Sequence, residues 1–401
     1  MVERKVLAPT EGSGDGSPKS PGGGIASGRE GFSPPDRTTS LEEDAPGPER
    51  AGILLTELVG IPSVSGSEAA ACALLASRLP ELGWDRVDRD GTGNVIAERG
   101  RGERELLLLG HIDTVPGGPP VRVEGDLLWG RGSVDAKGAL TAFALAGGSA
   151  SPPEGWRFTL VAAVGEERDS RGTRARLPLH RPSACLIGEP SGTEGITVGY
   201  RGRLLLELFA EDPGAHRSGS PGPITAVLRA GAAVLDLVDR EDVRDRPVIE
   251  RPSGAVIALE GAEEEGRCGR VEMEIRLPLG AEPEDWADAA RERARAFGAE
   301  CRIRESVRAR QVRRDDPAVR GLRSAIRSEG GTPRLLAKGG TADFNWAAEW
   351  GCPLAAWGPG DSRLDHTAEE RLSLSELERA VTILRRALPL IALGADRSGH
   401  I

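Results

Sequence analysis

The chain has 401 residues with 62 acidic and 52 basic side chains, a formal net charge of −10, which argues against nucleic acid as the main partner. Hydrophobic residues make up 38% and charged residues 28%, a balance that suits two domains and a sizeable core in water. No apolar run reaches the length of about 18 residues that a membrane span needs, so no membrane association is expected.

Residues 1–47 are rich in Gly, Pro and Ser. A stretch such as "GSGDGSPKSPGGG" has too little to bury to offset its ordering entropy, so a disordered tail is expected. "MVERKVLAPTEGSG" has no apolar signal core. Ordered sequence starts near "ERAGILLTELVGIPSVSGSEAAACALLASRLPELG", whose apolar spacing predicts two helices separated at Ile61-Pro62. "GNVIAERG" and "RELLLLGHID" read as strands, and "DAKGALTAFALAGG" as a helix after a Gly-rich loop. "RFTLVAAVGEE" and "SACLIGEP" are strands that end in acids. This alternation predicts an α/β layered domain.

The pattern changes at Gly195. "GITVGYRGRLLLELFA" reads as a strand, "PITAVLRAGAAVLDLVDR" as a helix, "GAVIALEG" and "GRVEMEIRLPLG" as strands, "EPEDWADAARERARAFG" as a helix and "ECRIRESV" as a last strand. The order β-α-β-β-α-β is that of a ferredoxin-like unit, placed here at 196–306 as an insertion. The α/β theme then resumes, with strands at "TPRLLAKGG" and "CPLAAWGPG" and helices at "TADFNWAAEWG" and "SLSELERAVTILRRALPLI". The division is therefore 48–195 and 307–395 for one domain and 196–306 for the other. The cysteines, Cys72, Cys185, Cys268, Cys301 and Cys352, are scattered and form no C-x-x-C pair. They are expected to be small core residues of a cytoplasmic protein rather than disulfide or thiolate-metal partners.

Four consecutive leucines, 106–109, run straight into His111 and Asp113. Ionisable groups beside a core are costly unless paired, either with each other or with a metal. Asp135, Glu166, Glu167, Glu189 and His366 also follow strand-like or Gly-rich segments, and ligands in open α/β sheets gather outside the carboxyl ends of strands. So many acids at close quarters need cations, and mixed His and carboxylate donors suit zinc or a similar ion. One carboxylate can bridge two metals. Neighbours on an extended strand point to opposite faces, so Glu166 and Glu167 divide more simply into one ligand and one non-ligand, the latter a general base. Asp113, sharing a face with His111, could hold its tautomer.

"GHIDTVPG", "GRGSVDAKG", "VGEE", "GEPSG" and "LDHT" together resemble the ligand motifs of the M20 family of di-zinc aminoacylases and peptidases. The resemblance implies a zinc-peptidase-like catalytic domain, a mixed sheet between helices, with the inserted unit as a satellite and dimerisation domain. It implies that His111 and Glu189 hold one zinc (or cobalt) ion, Glu167 and His366 a second, and that Asp135 bridges them. Glu166 is then the base, and Asp113 orients His111. His216, in "GAHRSGSPGP", matches the satellite histidine that in dimeric members reaches the partner's site and stabilises the oxyanion. Arg276 resembles a residue that binds a substrate carboxylate. "KGGTADFN" would line the pocket, with Gly340 and Thr341 offering backbone donors.

Within the family the wording resembles the branch that releases lysine or ornithine from the γ-carboxyl of the C-terminal Glu of an acidic amino-group carrier protein, in amino acid biosynthesis. Ala139, Arg217 and Phe344 depart from that branch's usual residues, and none removes a ligand. Related readings are an N-acyl amino acid deacylase, either an acetylornithine deacetylase or a succinyl-diaminopimelate desuccinylase. A reading of another class is a non-catalytic metal-binding scaffold. The arginines dense between Arg267 and Arg314 would offer the acidic carrier a docking face.

Overall fold

The computed structural model describes residues 47–212, 222–262 and 266–396. The expected tail lies outside the described residues apart from Gly47, which opens the helix Gly47–Val59, and so does His216.

The leucine run lies in strand Arg104–His111, which is hydrogen-bonded in parallel to Trp156–Ala163 on one side and Ala184–Gly188 on the other. A strand in that position is covered on both faces, so every residue can be apolar. Leu106 and Leu108 enter a core with Leu140, Phe143 and the long helix Leu374–Asp396. Leu107 and Leu109 enter a separate core with Val161, Ile187 and Phe344. All four leucines are fully buried, each contributing about 1.5–3 kcal/mol of hydrophobic stabilisation.

The whole sheet has nine strands and is mixed. Its centre is a parallel block, Trp156–Ala163, Arg104–His111, Ala184–Gly188 and Leu354–Ala356. Antiparallel Val95–Arg99 and Arg86–Arg89 extend one side. Gly195–Tyr200, with Arg310–Gln311 and Arg334–Lys338, extends the other. Helices Gly47–Val59, Lys137–Ser149, Pro317–Ser328 and Leu374–Asp396 share the larger core against one face. The helix Asp343–Ala347 packs into the smaller core on the other.

"GITVGYRGRLLLELFA", expected as one strand, is two. Gly195–Tyr200 pairs in the large sheet, while Gly202–Asp212 starts a four-stranded antiparallel sheet. The chain crosses at Arg201. Gly202 is pressed so close to 307–309 that a Cβ there would stand 2.3 Å from the Val307 carbonyl oxygen, which only glycine tolerates. The second sheet has spatial order Ser253–Ala262, Arg267–Leu277, Gly202–Asp212, Glu300–Val307, the ferredoxin-like arrangement. Leu204, Leu206, Leu208, Met273 and Ile275 face helices Gly222–Glu241 and Pro283–Ala296 across its core.

The arginine-rich region is largely neutralised by its own acids. Arg270 and Arg304 reach the buried Glu207 at 2.6 and 2.5 Å, Arg276 pairs with Glu274 at 2.7 Å, and Arg313 with Asp315 at 2.8 Å. A small third sheet, Arg122–Glu124, Leu127–Trp129 and Arg371–Ser373, joins two distant segments beside the Gly-rich loop. Among the described residues the five cysteines are free, and no helix is long and apolar enough to cross a membrane.

Candidate metal centre

Each of the four central parallel strands delivers a group at its carboxyl end. His111 is the last residue of its strand, Glu166 and Glu167 follow Ala163, Glu189 follows Gly188, and His366 lies in the segment after Ala356. The fifth group, Asp135, stands at the end of the Gly-rich loop just before the buried helix Lys137–Ser149.

These groups meet around Asp135. Its Oδ1 is 3.2 Å from His111 Nε2, and its Oδ2 is 3.1 Å from His366 Nε2. His366 Nε2 is also 3.0 Å from Glu167 Oε1, and His111 Nε2 is 4.0 Å from Glu189 Oε1. The two oxygens of one carboxylate thus divide the cluster into a His111–Glu189 side and a His366–Glu167 side. Donor atoms of His111, Asp135 and Glu167 all lie within 4.8 Å of one another, close enough to hold one metal ion. His111, Asp135 and Glu189 are buried, whereas 48% of the His366 side chain is exposed, so the cluster opens on that side. His366 has φ +61°, a left-handed conformation that costs a non-glycine residue energy and is held by its surroundings.

The second layer ties these segments together. His111 Nδ1 is bonded to the backbone carbonyl of Asp113 at 3.0 Å, while the Asp113 carboxylate lies 3.6 Å from the ring. That carboxylate instead accepts the backbone N–H groups of Glu166 and Glu167 at 3.0 and 3.1 Å, and the Ser65 hydroxyl at 2.6 Å. The strand stops at Ala163 and the two glutamates sit in a turn, so the alternation of an extended strand no longer separates them.

The electrostatics are those of a site built for cations. Burial, reinforced by the Asp135 carboxylate, pushes Glu189 up to about 8. Burial also drives Glu166 well above its usual range, with Glu189, Asp343 and Glu167 adding to the effect against the pull of His111. Glu167 is raised by burial too. Hydrogen bonds to Asp135 and Glu167 lift His366 to about 10. Burial opposes charge on His111, but the nearby carboxylates of Asp113 and Asp135 outweigh it and hold the imidazole well above its ordinary value. Buried carboxylates crowded together beside two imidazoles are a donor set that divalent ions satisfy.

The expected pocket residues gather elsewhere along the same edge. Arg276, from the four-stranded sheet, donates to the Thr341 hydroxyl at 2.9 Å. A Cβ on Gly340 would meet nothing within 4 Å, so the backbone there borders open space. Lys338 donates to the Pro190 carbonyl at 2.5 Å, tying this turn to the segment that carries Glu189. Residues beyond the sequence-based expectations also belong to this region. Asp343 is buried near Glu166 and accepts the Thr173 hydroxyl at 2.5 Å. Arg201 donates to the Gly339 carbonyl at 2.8 Å. Glu370 is buried against the Asp135 loop. His180 lies away from this edge, buried and bonded through Nδ1 at 3.0 Å to Glu105, near the amino end of the strand Arg104–His111, and through Nε2 to Arg176.

A mixed α/β sheet that gathers histidines and carboxylates at the ends of its parallel strands, with an inserted ferredoxin-like unit, defines a metal-dependent hydrolase. The chain belongs to peptidase family M20/M25/M40, whose model matches residues 107–389. It is 39% identical over 364 residues to the [LysW]-lysine hydrolase of Deinococcus radiodurans, an alignment covering 87% of this chain and 99% of that relative. It is 27% identical over 349 residues to the [LysW]-lysine/[LysW]-ornithine hydrolase of Sulfurisphaera tokodaii, covering 85% of this chain and 95% of the relative. Among solved structures, the M20 family metallo-carboxypeptidase Sso-CP2 from Sulfolobus solfataricus matches with a TM-score of 0.72 at 16% identity, covering 86% of this chain and 99% of the other, a likeness of fold.

Proposed function

We propose that this protein is a di-zinc amidohydrolase that releases lysine or ornithine from the γ-carboxyl of the C-terminal Glu of a small acidic amino-group carrier protein. The observation that carries the reading is the division of Asp135, one oxygen toward His111 and the other toward His366. In this reading His111 and Glu189 would hold one ion, His366 and Glu167 the other, with Asp135 serving both. Ions held there would supply Lewis acidity to the scissile carbonyl and to the attacking water. Glu166 takes the water proton and passes it to the departing amine, as a general base that becomes a general acid. Asp113 holds the backbone of Glu166 and Glu167 in place and keeps His111 in register through its carbonyl.

Arg276, with Gly340 and Thr341, binds a carboxylate of the substrate, the planar guanidinium being suited to a bidentate grip. His216 completes the oxyanion site from a partner subunit in a homodimer. Residues 196–306 form the satellite and dimerisation domain, and 48–195 with 307–395 the catalytic domain. The substrate assignment is supported by the names of relatives that align over nearly their whole length. A cytoplasmic location is consistent with the five free thiols.

The test is a release assay on the purified protein with carrier-linked lysine, carrier-linked ornithine, acetylornithine and succinyl-diaminopimelate. Turnover confined to the carrier-linked amides is the expected result. Preference for either free acyl substrate would move the protein to the deacylases, and no turnover of any would favour a scaffold.

A further inference from the structure

Glu370 is a carboxylate with no exposure at all, four positions beyond His366. Its Oε1 accepts the backbone N–H groups of Gly132, Val134 and Asp135 at 2.9, 3.0 and 3.1 Å. Its Oε2 accepts Arg131 Nη1 at 2.5 Å. The Glu370 carbonyl accepts the Gly130 N–H at 3.2 Å. The whole 130–135 loop is therefore wound around one side chain from the other end of the sequence.

The winding has a local cause. Gly132 has φ +84°, and a Cβ there would lie 2.7 Å from Thr114 Cγ2. This left-handed step turns successive amides inward, where they need an acceptor away from water. A buried carboxylate satisfies several donors at once, and hydrogen bonds to a charged acceptor are short and strong. An apolar residue would leave three amides without partners.

The loop that Glu370 organises ends at Asp135, and the segment that carries Glu370 contains His366. The two ligands face each other at 3.1 Å across this joint. We infer that Glu370 is a positioning residue that locks the Asp135 loop to the His366 segment and so sets the spacing of two metal ligands. The inference rests on the reading of Asp135 and His366 as ligands of the metal centre. Glu370 touches neither substrate nor metal and acts through the backbone of Asp135.

The test uses the full chain, stripped of metal and titrated with Zn2+ against a competing chelator, for wild type, E370Q, E370A and D135N. The melting temperature of each metal-free protein and kcat and KM on the turned-over substrate are measured alongside. E370Q keeps an oxygen for the loop amides but sets an NH2 group against Arg131. It should weaken Zn2+ binding by about 10-fold or more, and E370A by up to about 100-fold, the range for residues that orient metal ligands. In E370Q kcat should fall while KM holds. If E370A does not fold, E370Q decides. Should D135N lose zinc while E370Q binds it as wild type does, with only a lower melting temperature, Glu370 is a structural residue and the inference fails alone. If D135N itself keeps full zinc affinity, the ligand reading fails and takes the inference with it.

Discussion

His366 Nε2 lies 3.0 Å from Glu167 Oε1, although 199 residues separate them in the chain. The parallel pairing of their strands within one block brings the two segments to the same edge of the sheet. The Asp135 Oδ2 atom completes this half of the cluster, while His111 and Glu189 form the other.

The two halves should separate on mutation. His366→Ala is expected to lose one of two bound zinc equivalents, measured by elemental analysis after dialysis, while the protein stays folded. Loss of several kcal/mol of transition-state stabilisation corresponds to a fall of at least about a hundredfold in turnover. Retention of both equivalents would remove His366 from the ligand set.

Glu166→Gln should separate binding from chemistry. Zinc content is expected to match wild type, with turnover about 10²–10⁴-fold lower, the contribution of a positioned general base. If zinc is lost and Glu167→Gln instead retains it, the two glutamates exchange roles.

Leu108→Ala tests the two-sided burial of the central strand. The side chain is fully buried among Leu140, Phe143 and their neighbours. The substitution should cost about 2–5 kcal/mol in urea unfolding. A cost typical of a surface site would contradict the core placement.

Asp316 provides a pH dependence away from the metal centre. It caps the helix Pro317–Ser328, accepting the Ala318 N–H at 2.8 Å and the Leu354 N–H at 3.2 Å, and burial pushes its carboxyl up to about 6 from 3.8. Between these values the folded chain holds a proton that the unfolded chain releases. This group therefore makes stability fall as pH rises from about 4 to 6 and leaves it level above that. Asp316→Asn keeps a capping oxygen and removes the titration. The difference in unfolding free energy between variant and wild type should shift in favour of the variant across that window by on the order of 1–2 kcal/mol. A difference that stays constant with pH would show that Asp316 is not the source.

Most of the cluster was legible because its residues follow strands or a Gly-rich loop. A single histidine or acid after a strand is most often a solvated strand end, and it is five such places in order, converging on one sheet edge, that carry the signal. The helix Pro317–Ser328 escaped notice although Asp316-Pro317 is an N-cap signal and Val319, Leu322 and Ile326 mark its buried face. The strands Arg86–Arg89, Arg122–Glu124 and Arg371–Ser373 are short and polar, so no alternation announces them. Arginine density suggested that part of the Arg267–Arg314 set forms a docking face, and it gave no sign of which arginines are held by acids. Cross-strand register places Glu207 opposite Glu272 and Arg302, beneath the guanidinium groups of Arg270 and Arg304. That pairing cannot be read from a linear count of charges.

Read alone, the sequence determined the α/β alternation, the inserted β-α-β-β-α-β order and the set of groups at the strand ends. Each of these is encoded by periodicity or residue type within a single segment. The central place of Asp135 was implied by the family resemblance, but only the tertiary structure decided that the Asp113 carboxylate holds the Glu166–Glu167 turn and that Glu370 gathers the amides of a loop far away in the chain. Those bonds depend on distances set when separate segments pack together. The side chain that makes each of them bears no local mark of its partner.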